Sequence, residues 1–310
     1  MAEKRDPRKT FGQRVSEIAE KNTDVVILSA DSGKSSGFKE FSIKYPERYF
    51  EFGIMEQTVT GIASGFATTG KIPVFCAIAP FVTCRNYEMF RNDLGYMRQN
   101  VKIVGRNGGM TYSDLGSTHH SLEDFSIIRM IPGVVVLAPQ DPGEIEAAVD
   151  AMMEHDGPVY MRIGNQPVES LFEKQKFEIG KGRILRDGTD LTLISTGTIT
   201  ANVLKAAELL AEKGLSVMVA GMPTVWPVDE ELIRSAAKKT GKIMTVEEHY
   251  TIGGLGSAVC EVCAKEGYGK VKCHGIRPEY ASTGSYEELL ACYKLDPYGI
   301  METAVDFLKG

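Results

Sequence analysis

At 310 residues, with 43% hydrophobic and 25% charged side chains, the chain has length for about two domains and the composition of an ordinary soluble globular protein. A formal net charge of −6 with no basic block argues against nucleic acid or an anionic membrane surface as the main partner. The charged N-terminus precedes no apolar signal region, no apolar run approaches membrane-spanning length, and six scattered cysteines suggest free thiols, so a cytoplasmic protein is expected.

Thr10 to Lys21 reads as a polar-faced helix leading into Val25-Val-Ile-Leu-Ser-Ala30, whose continuous Val/Ile character is that of a parallel strand covered on both faces. That strand ends in the polar loop Asp31-Ser-Gly-Lys-Ser-Ser-Gly37, placed where open parallel sheets line a ligand crevice. Gly33-Lys34-Ser35 lacks the earlier glycine of a phosphate-binding P-loop, and an ordinary strand-to-helix turn is the simpler reading of the loop by itself. Tyr49 to Gly53 reads as a short strand running straight into a helix, with Val59, Ile62, Ala63, Phe66 and Ala67 at helical spacing. Glu56 therefore sits in the first turn, where helix-dipole pairing and catalysis explain an acidic residue equally well.

Pro73 to Ile78 is the next buried strand, and a helix carrying Phe81, Tyr87, Met89, Phe90 and Leu94 should follow. Arg85, Arg91 and Arg98 read most simply as a solvated face, although Arg85 lies early enough to reach a crevice. Between the strands Val101 to Gly105 and Val134 to Ala138 lies a loop over 106–120, rich in glycine and hydroxyls and holding His119 and His120. Its length suggests function or mobility, and mobility is expected of the isolated chain. Asp141-Pro142 marks a helix start running to about Glu154, and Pro158 to Ile163 closes a first domain of residues 1–165.

Residues 166–190, with Glu173, Lys174, Lys176 and Glu178, read as a charged linker to a second domain of residues 191–310. There, strands at Leu191 to Ser195, Leu215 to Ala220, Lys242 to Val246 and Val271 to Ile276 alternate with helices, one opened by Gly253-Gly-Leu-Gly256. Cys260 and Cys263 fall inside an apolar helix without the turn a zinc site needs and read as buried small hydrophobes. Glu247-Glu248-His249 at a strand end is either catalytic or a hydrogen-bonded interface cluster. The alternation predicts two three-layer α/β/α domains with mostly parallel sheets.

Taken together and in order, Pro7-Arg-Lys9, Ser29-Ala-Asp31, Phe52-Gly-Ile-Met-Glu-Gln57, Gly61-Ile-Ala-Ser-Gly65, Arg85-Asn-Tyr87, Ser117-Thr-His119, Val136-Leu-Ala-Pro139, Arg162 and Val246-Glu-Glu-His249 resemble the C-terminal half of a transketolase. The resemblance implies a pyrimidine-binding domain followed by a transketolase C-terminal-like domain. In such enzymes thiamine diphosphate lies between two domains, its diphosphate held through Mg²⁺ by a Gly-Asp-Gly motif. That motif is absent here. The resemblance thus implies a split enzyme in which an N-terminal transketolase subunit carrying Gly-Asp-Gly holds diphosphate and metal, in an α₂β₂ heterotetramer, and no metal ligand falls on this chain. Glu56 would hydrogen-bond N1′ of the aminopyrimidine and promote proton transfer through the cofactor. Phe81 matches an aromatic wall of the pyrimidine pocket, Ile78 falls where a second aromatic is common, and Asp31 lies on the cofactor side.

For substrate, Arg8, Ser35 and Arg162 match residues around a sugar phosphate, Arg85 lies near enough to join them, and His119 matches a histidine on substrate oxygens. Two departures stand out: Asn107 replaces a histidine, and Leu115, beside Asp114, replaces an acidic residue that reads a donor hydroxyl. They imply a ketose other than the usual pentose phosphates, with phosphate or another anionic group. The expected reaction is transfer of a two-carbon ketol unit from a ketose to an aldose. A 1-deoxyxylulose-5-phosphate synthase-like enzyme or a 2-oxo-acid dehydrogenase β subunit are the alternatives, and a non-catalytic scaffold is one of another class.

Overall fold

The computed structural model describes residues 4–173, 175–267 and 269–310. In chain order its strands are β1 (Lys4–Arg5), β2 (Val25–Ser29), β3 (Tyr49–Glu51), β4 (Ile72–Ile78), β5 (Lys102–Arg106), β6 (Val135–Leu137), β7 (Val159–Arg162), β8 (Val168–Glu169), β9 (Arg183–Arg186), β10 (Leu191–Ser195), β11 (Val217–Gly221), β12 (Thr224–Trp226), β13 (Lys242–Tyr250) and β14 (Lys270–Ile276). A seven-stranded sheet runs β12-β6-β7-β5-β4-β2-β3 and a five-stranded one β14-β13-β10-β11-β9. Every pairing within them is parallel except β12 on β6 and β9 on β11. The expected α/β class with mostly parallel sheets is what forms.

Helices cover both faces of the larger sheet because successive strand residues are apolar on both sides. Val25, Ile27, Val74 and Cys76 point into a core shared with the helices Pro7–Lys21 and Pro142–Glu154, whereas Leu28, Phe75 and Ala77 point into one shared with the helix Glu56–Thr68. Phe75 is accordingly core. The smaller sheet divides its residues in the same way, Leu193 to one side and Ile194 to the other.

Three expectations change. The single helix expected over Phe81 to Leu94 is three pieces, Ala79–Val82, Tyr87–Met89 and a wide-turn π-helix Phe90–Tyr96. The first break falls at Thr83, whose φ of −123° and ψ of −80° leave the helical region. The linker segment carries two short strands: β8 pairs with β1, and β9 forms an antiparallel edge of the smaller sheet. Finally, β12 lies in the second half of the sequence yet pairs with β6, closing one edge of the larger sheet.

The three acidic and basic residues at the end of β13 are structural. Glu247 accepts the first two backbone N–H groups of the helix Leu255–Glu266, from Leu255 at 2.8 Å and Gly256 at 2.7 Å. His249 stacks on Phe125 with centroids 5.2 Å apart. Glu248 accepts from the Met110 N–H and from Tyr286 Oη at 2.9 Å, fastening the 106–120 loop to the second half of the chain. All six cysteines are free, and among the described residues no His/Cys/Asp/Glu group is arranged to hold a metal ion. None of the described helices is long and apolar enough to cross a membrane.

Candidate active site

The site forms at the carboxyl edge of the larger sheet, where parallel strands deliver their following loops to one place. After β3 the chain turns through Gly53, at φ +76°, and Glu56 begins the next helix. The Glu56 side chain is only 5% exposed. Arg85 Nη1 donates to its Oε2 at 2.7 Å, and among the described residues Oε1 receives no hydrogen bond. The helix end is braced from behind: Thr60 Oγ1 donates to the Glu56 carbonyl at 3.1 Å, and Asn86 Nδ2 donates to Thr60 Oγ1 at 2.5 Å.

Arg85 reaches Glu56 because the chain leaves helical geometry after Val82. Its guanidinium carbon also sits 3.9 Å from the Phe81 ring centroid. Phe81 meets the edge of His119 at 5.3 Å between centroids, and His119 meets Tyr112 at 5.6 Å. His119 Nδ1 lies 2.9 Å from Thr118 Oγ1. Glu56, Arg85, Phe81 and His119, all expected from sequence, are thus joined in one chain of contacts. Tyr112 joins them unforeseen; its only sequence signal is an aromatic within a glycine-rich loop. Ile78, half-buried, caps the helix that carries Phe81.

Arg8 and Ser35 share a groove of about 780 Å³ with Lys9 and Lys34 on the helix Pro7–Lys21 side of the sheet. Arg8 is held there by Asp6, with Nη2 to Oδ2 at 2.9 Å. Asp31 is exposed and holds φ +55°, its N–H bonded to Glu51 Oε1 at 2.7 Å. Asp114 is exposed on the short turn Ser113–Thr118, and among the described residues no contact brings it to Glu56.

Arg162 ends β7 at the same edge of the sheet. Its side chain is 7% exposed and bound inward: Nη1 to Asp124 Oδ1 at 3.0 Å, Nη2 to the Glu248 carbonyl at 3.1 Å, and the guanidinium 3.8 Å above Phe125. These contacts tie Arg162 into the fold, and they use only part of a guanidinium that carries five N–H donors. Asn107 is buried at φ +59°, where Oδ1 accepts from Arg106 Nη1 at 2.7 Å and Nδ2 has no partner among the described residues. Arg106 Nε, His120 Nδ1 and Ser121 Oγ are likewise buried without partners among the described residues. So many orphaned polar atoms flanking one loop suit a polar ligand.

The sequence pattern of the transketolase pyrimidine-binding domain matches residues 3–169, and that of the transketolase C-terminal domain matches residues 180–300. The chain is similar to one subunit of the apulose-4-phosphate transketolase of Phocaeicola vulgatus, at 39% identity over 304 residues and 97% of each chain. It is 36% identical to a 6-deoxy-6-sulfo-D-fructose transketolase subunit of a Clostridium species, over 96% of this chain and 92% of that one. A solved split-gene transketolase in an inactive β4 tetramer superposes with a TM-score of 0.91 at 34% identity, over 99% of both chains.

Proposed function

Because the chain belongs to the transketolase family, with that family's pyrimidine-binding and C-terminal domains, we propose that it is the pyrimidine-binding subunit of a split, thiamine-diphosphate-dependent transketolase. A partner subunit carrying Gly-Asp-Gly holds the diphosphate and Mg²⁺, and the two associate as an α₂β₂ heterotetramer. The relatives' names support this reading, since both are subunits of transketolases. The inactive β4 form of the 34%-identical chain supports dependence on a partner. Six free thiols accord with a cytoplasmic setting.

The observation that carries the reading is the Glu56 carboxylate: nearly buried, fixed at a helix start, with one oxygen undonated and an aromatic face adjoining its arginine partner. Those groups fit an aminopyrimidine, which needs a carboxyl at a ring nitrogen and flat apolar walls; Glu56, Phe81, Ile78 and Asp31 would hold it. When bound, thiamine diphosphate supplies the carbon nucleophile and the electron sink for carbon–carbon cleavage. Glu56 would exchange a proton with the ring nitrogen, while Arg85 keeps Oε2 oriented. His119, fixed between Phe81 and Tyr112, holds substrate hydroxyl or carbonyl oxygens. Arg8 and Ser35 face the substrate's anionic end, and Asn107 and Arg85 complete its polar surroundings. The donor is a ketose bearing phosphate or another anion, and the acceptor an aldose.

The test is reconstitution. Purified chain, partner subunit, thiamine diphosphate and Mg²⁺ are mixed with an aldose acceptor and either apulose 4-phosphate or 6-deoxy-6-sulfo-D-fructose as donor. Ketol transfer is expected only when every protein and cofactor component is present. Transfer by this chain alone, or carbon dioxide release from pyruvate in place of transfer, overturns the reading.

A further inference from the structure

The six free thiols differ sharply in setting. Cys76 is enclosed in the core of the larger sheet and Cys263 in that of the smaller one. Burial and the neighbouring charge of Glu123 push the Cys84 thiol up to about 12. Cys260 and Cys273 are both half-buried, and their sulfurs lie 3.6 Å apart. Among the described residues no other two thiols are in contact. The sequence reading of Cys260 and Cys263 as buried small hydrophobes therefore holds for Cys263 alone.

The contact follows from how the helix Leu255–Glu266 packs on β13 and β14. Cys273 lies on β14, the outer strand of the smaller sheet, in register with Thr245 of β13. Gly256 faces them from the helix, where a Cβ would meet both Cys273 Sγ and Thr245 Oγ1 at 2.8 Å. Glycine there lets the helix approach the strands, and one turn further along the same face comes Cys260. The helix is fixed at its start by Glu247 and, at the residue after Cys260, by the ion pair of Glu261 with Arg129. Sulfurs bond at about 2.05 Å, so closing the pair takes about 1.5 Å of movement, within reach of side-chain rotation. Cys260 also lines an open groove with Lys270, so a small oxidant meets it first. Its hydrogen bond with Cys273 pulls the Cys260 thiol down and pushes the Cys273 thiol up, which places the thiolate on the groove side.

We propose that Cys260 and Cys273 form a reversible redox site, a dithiol that a hydroperoxide converts to a disulfide. The Cys260 sulfur attacks one peroxide oxygen, the O–O bond breaks, and Cys260 becomes a sulfenic acid while the other oxygen leaves as water. The Cys273 sulfur then attacks the Cys260 sulfur and displaces a second water, which carries away the remaining thiol proton. The two thiols lose two electrons and two protons, and the peroxide is reduced to two waters. A thiol reductant reopens the bond by exchange. The bridge clamps the helix onto the edge of the smaller sheet, and none of the residues that would hold thiamine diphosphate takes part.

Hydrogen peroxide, added in slight excess to the full chain in metal-free buffer, tests it. The intact mass should fall by two hydrogens, peptide mapping should join Cys260 to Cys273, and dithiothreitol should undo both. The oxidised wild type should melt about 3–6 °C above the reduced one, because the cross-link restricts the unfolded chain. Cys273→Ser should lose that rise and stop at a Cys260 sulfenic acid that dimedone traps, whereas in Cys260→Ser the Cys273 thiol should stay reduced. Both thiols of the wild type remaining reduced, a bridge to Cys263 instead, or oxidation going first to Cys84 or Cys292 overturns the proposal. So does a bridge that dithiothreitol fails to open, or one that leaves the melting temperature unchanged.

Discussion

Glu56 pairs near-complete burial with an oxygen that no protein donor occupies, and its replacement separates catalysis from folding. Glu56→Gln keeps the shape and an acceptor for Arg85 but loses the carboxyl proton exchange, so kcat of the assembled enzyme should fall by about 10²–10⁴-fold. The melting temperature of the isolated chain should hardly move, because Arg85 is 42% exposed and its charge is largely screened when left unpaired. Unimpaired turnover would remove Glu56 from the chemistry. Lys102 offers a contrasting case, a buried base with a purely structural role. Its Nζ donates to the carbonyls of His155 at 2.6 Å and Gly157 at 2.9 Å, and burial pulls its pKa from 10.5 down to about 7. Between those two values the unfolded lysine holds a proton that the folded one has released, so this residue makes stability rise with pH across that window and fall again toward neutrality. Lys102→Met should flatten that slope, read as the difference in urea midpoint between pH 7 and pH 10 for wild type and variant; equal slopes would show that the amine titrates normally. Neither residue could be interpreted from its neighbours in sequence. Glu56 looks like any first-turn acid until Arg85, twenty-nine positions away, is seen on it.

The helix Pro7–Lys21 and the turn Lys34–Ser36 meet at two glycines, and that contact sets Arg8 beside Ser35. A Cβ on Gly12 would lie 2.6 Å from the backbone of Gly37, which itself holds φ +91° against the Arg8 carbonyl. Gly12→Ala must therefore push the two elements apart, at a cost of about 1–3 kcal/mol, and should also weaken donor binding more than cofactor binding. Thermal melting and donor KM check both halves, and a variant with wild-type values of each would show that the two backbones tolerate separation. Elements of this kind mark the boundary of what pattern reading reaches. The parallel strands β2, β4, β5, β7, β10 and β11 are legible because a strand buried on both faces reads as a continuous apolar run. The N-cap Asp141 is legible because its side chain accepts from the Glu144 N–H, as the Asp-Pro pattern demands. Strands β8, β9 and β12 are not, since two to four residues carry no periodicity and their partners lie far off in sequence. The break at Thr83 is equally silent, though it is what turns Arg85 toward Glu56.

At the scale of the whole molecule, motifs in family order conveyed the fold, but not how the two sheets are tied. Arg162, which the family pattern makes a substrate ligand, also belongs to that tie, packed against Phe125, Asp124 and Glu248. The same tie includes β12, whose residues Thr224 and Trp226 register with Leu137 and Val136 after the chain has already entered the smaller sheet. Arg129 adds a bond to the Gly253 carbonyl and an ion pair with Glu261. Separate unfolding of the two halves would strip β12 from β6 and expose an unpaired sheet edge, so the halves should unfold together. Trp226 is the one tryptophan in the sequence and sits in that strand, packed against the core of the larger sheet, which makes its fluorescence a direct reporter. Fluorescence and far-ultraviolet ellipticity should trace superimposable thermal transitions. A fluorescence change completed well below the ellipticity midpoint would show that β12 leaves first and that the halves are independent. A fragment ending at residue 169 carries the opposite expectation: lacking β12, it exposes the β6 edge and should self-associate, with sedimentation velocity showing a concentration-dependent shift that the full chain at equal concentration lacks.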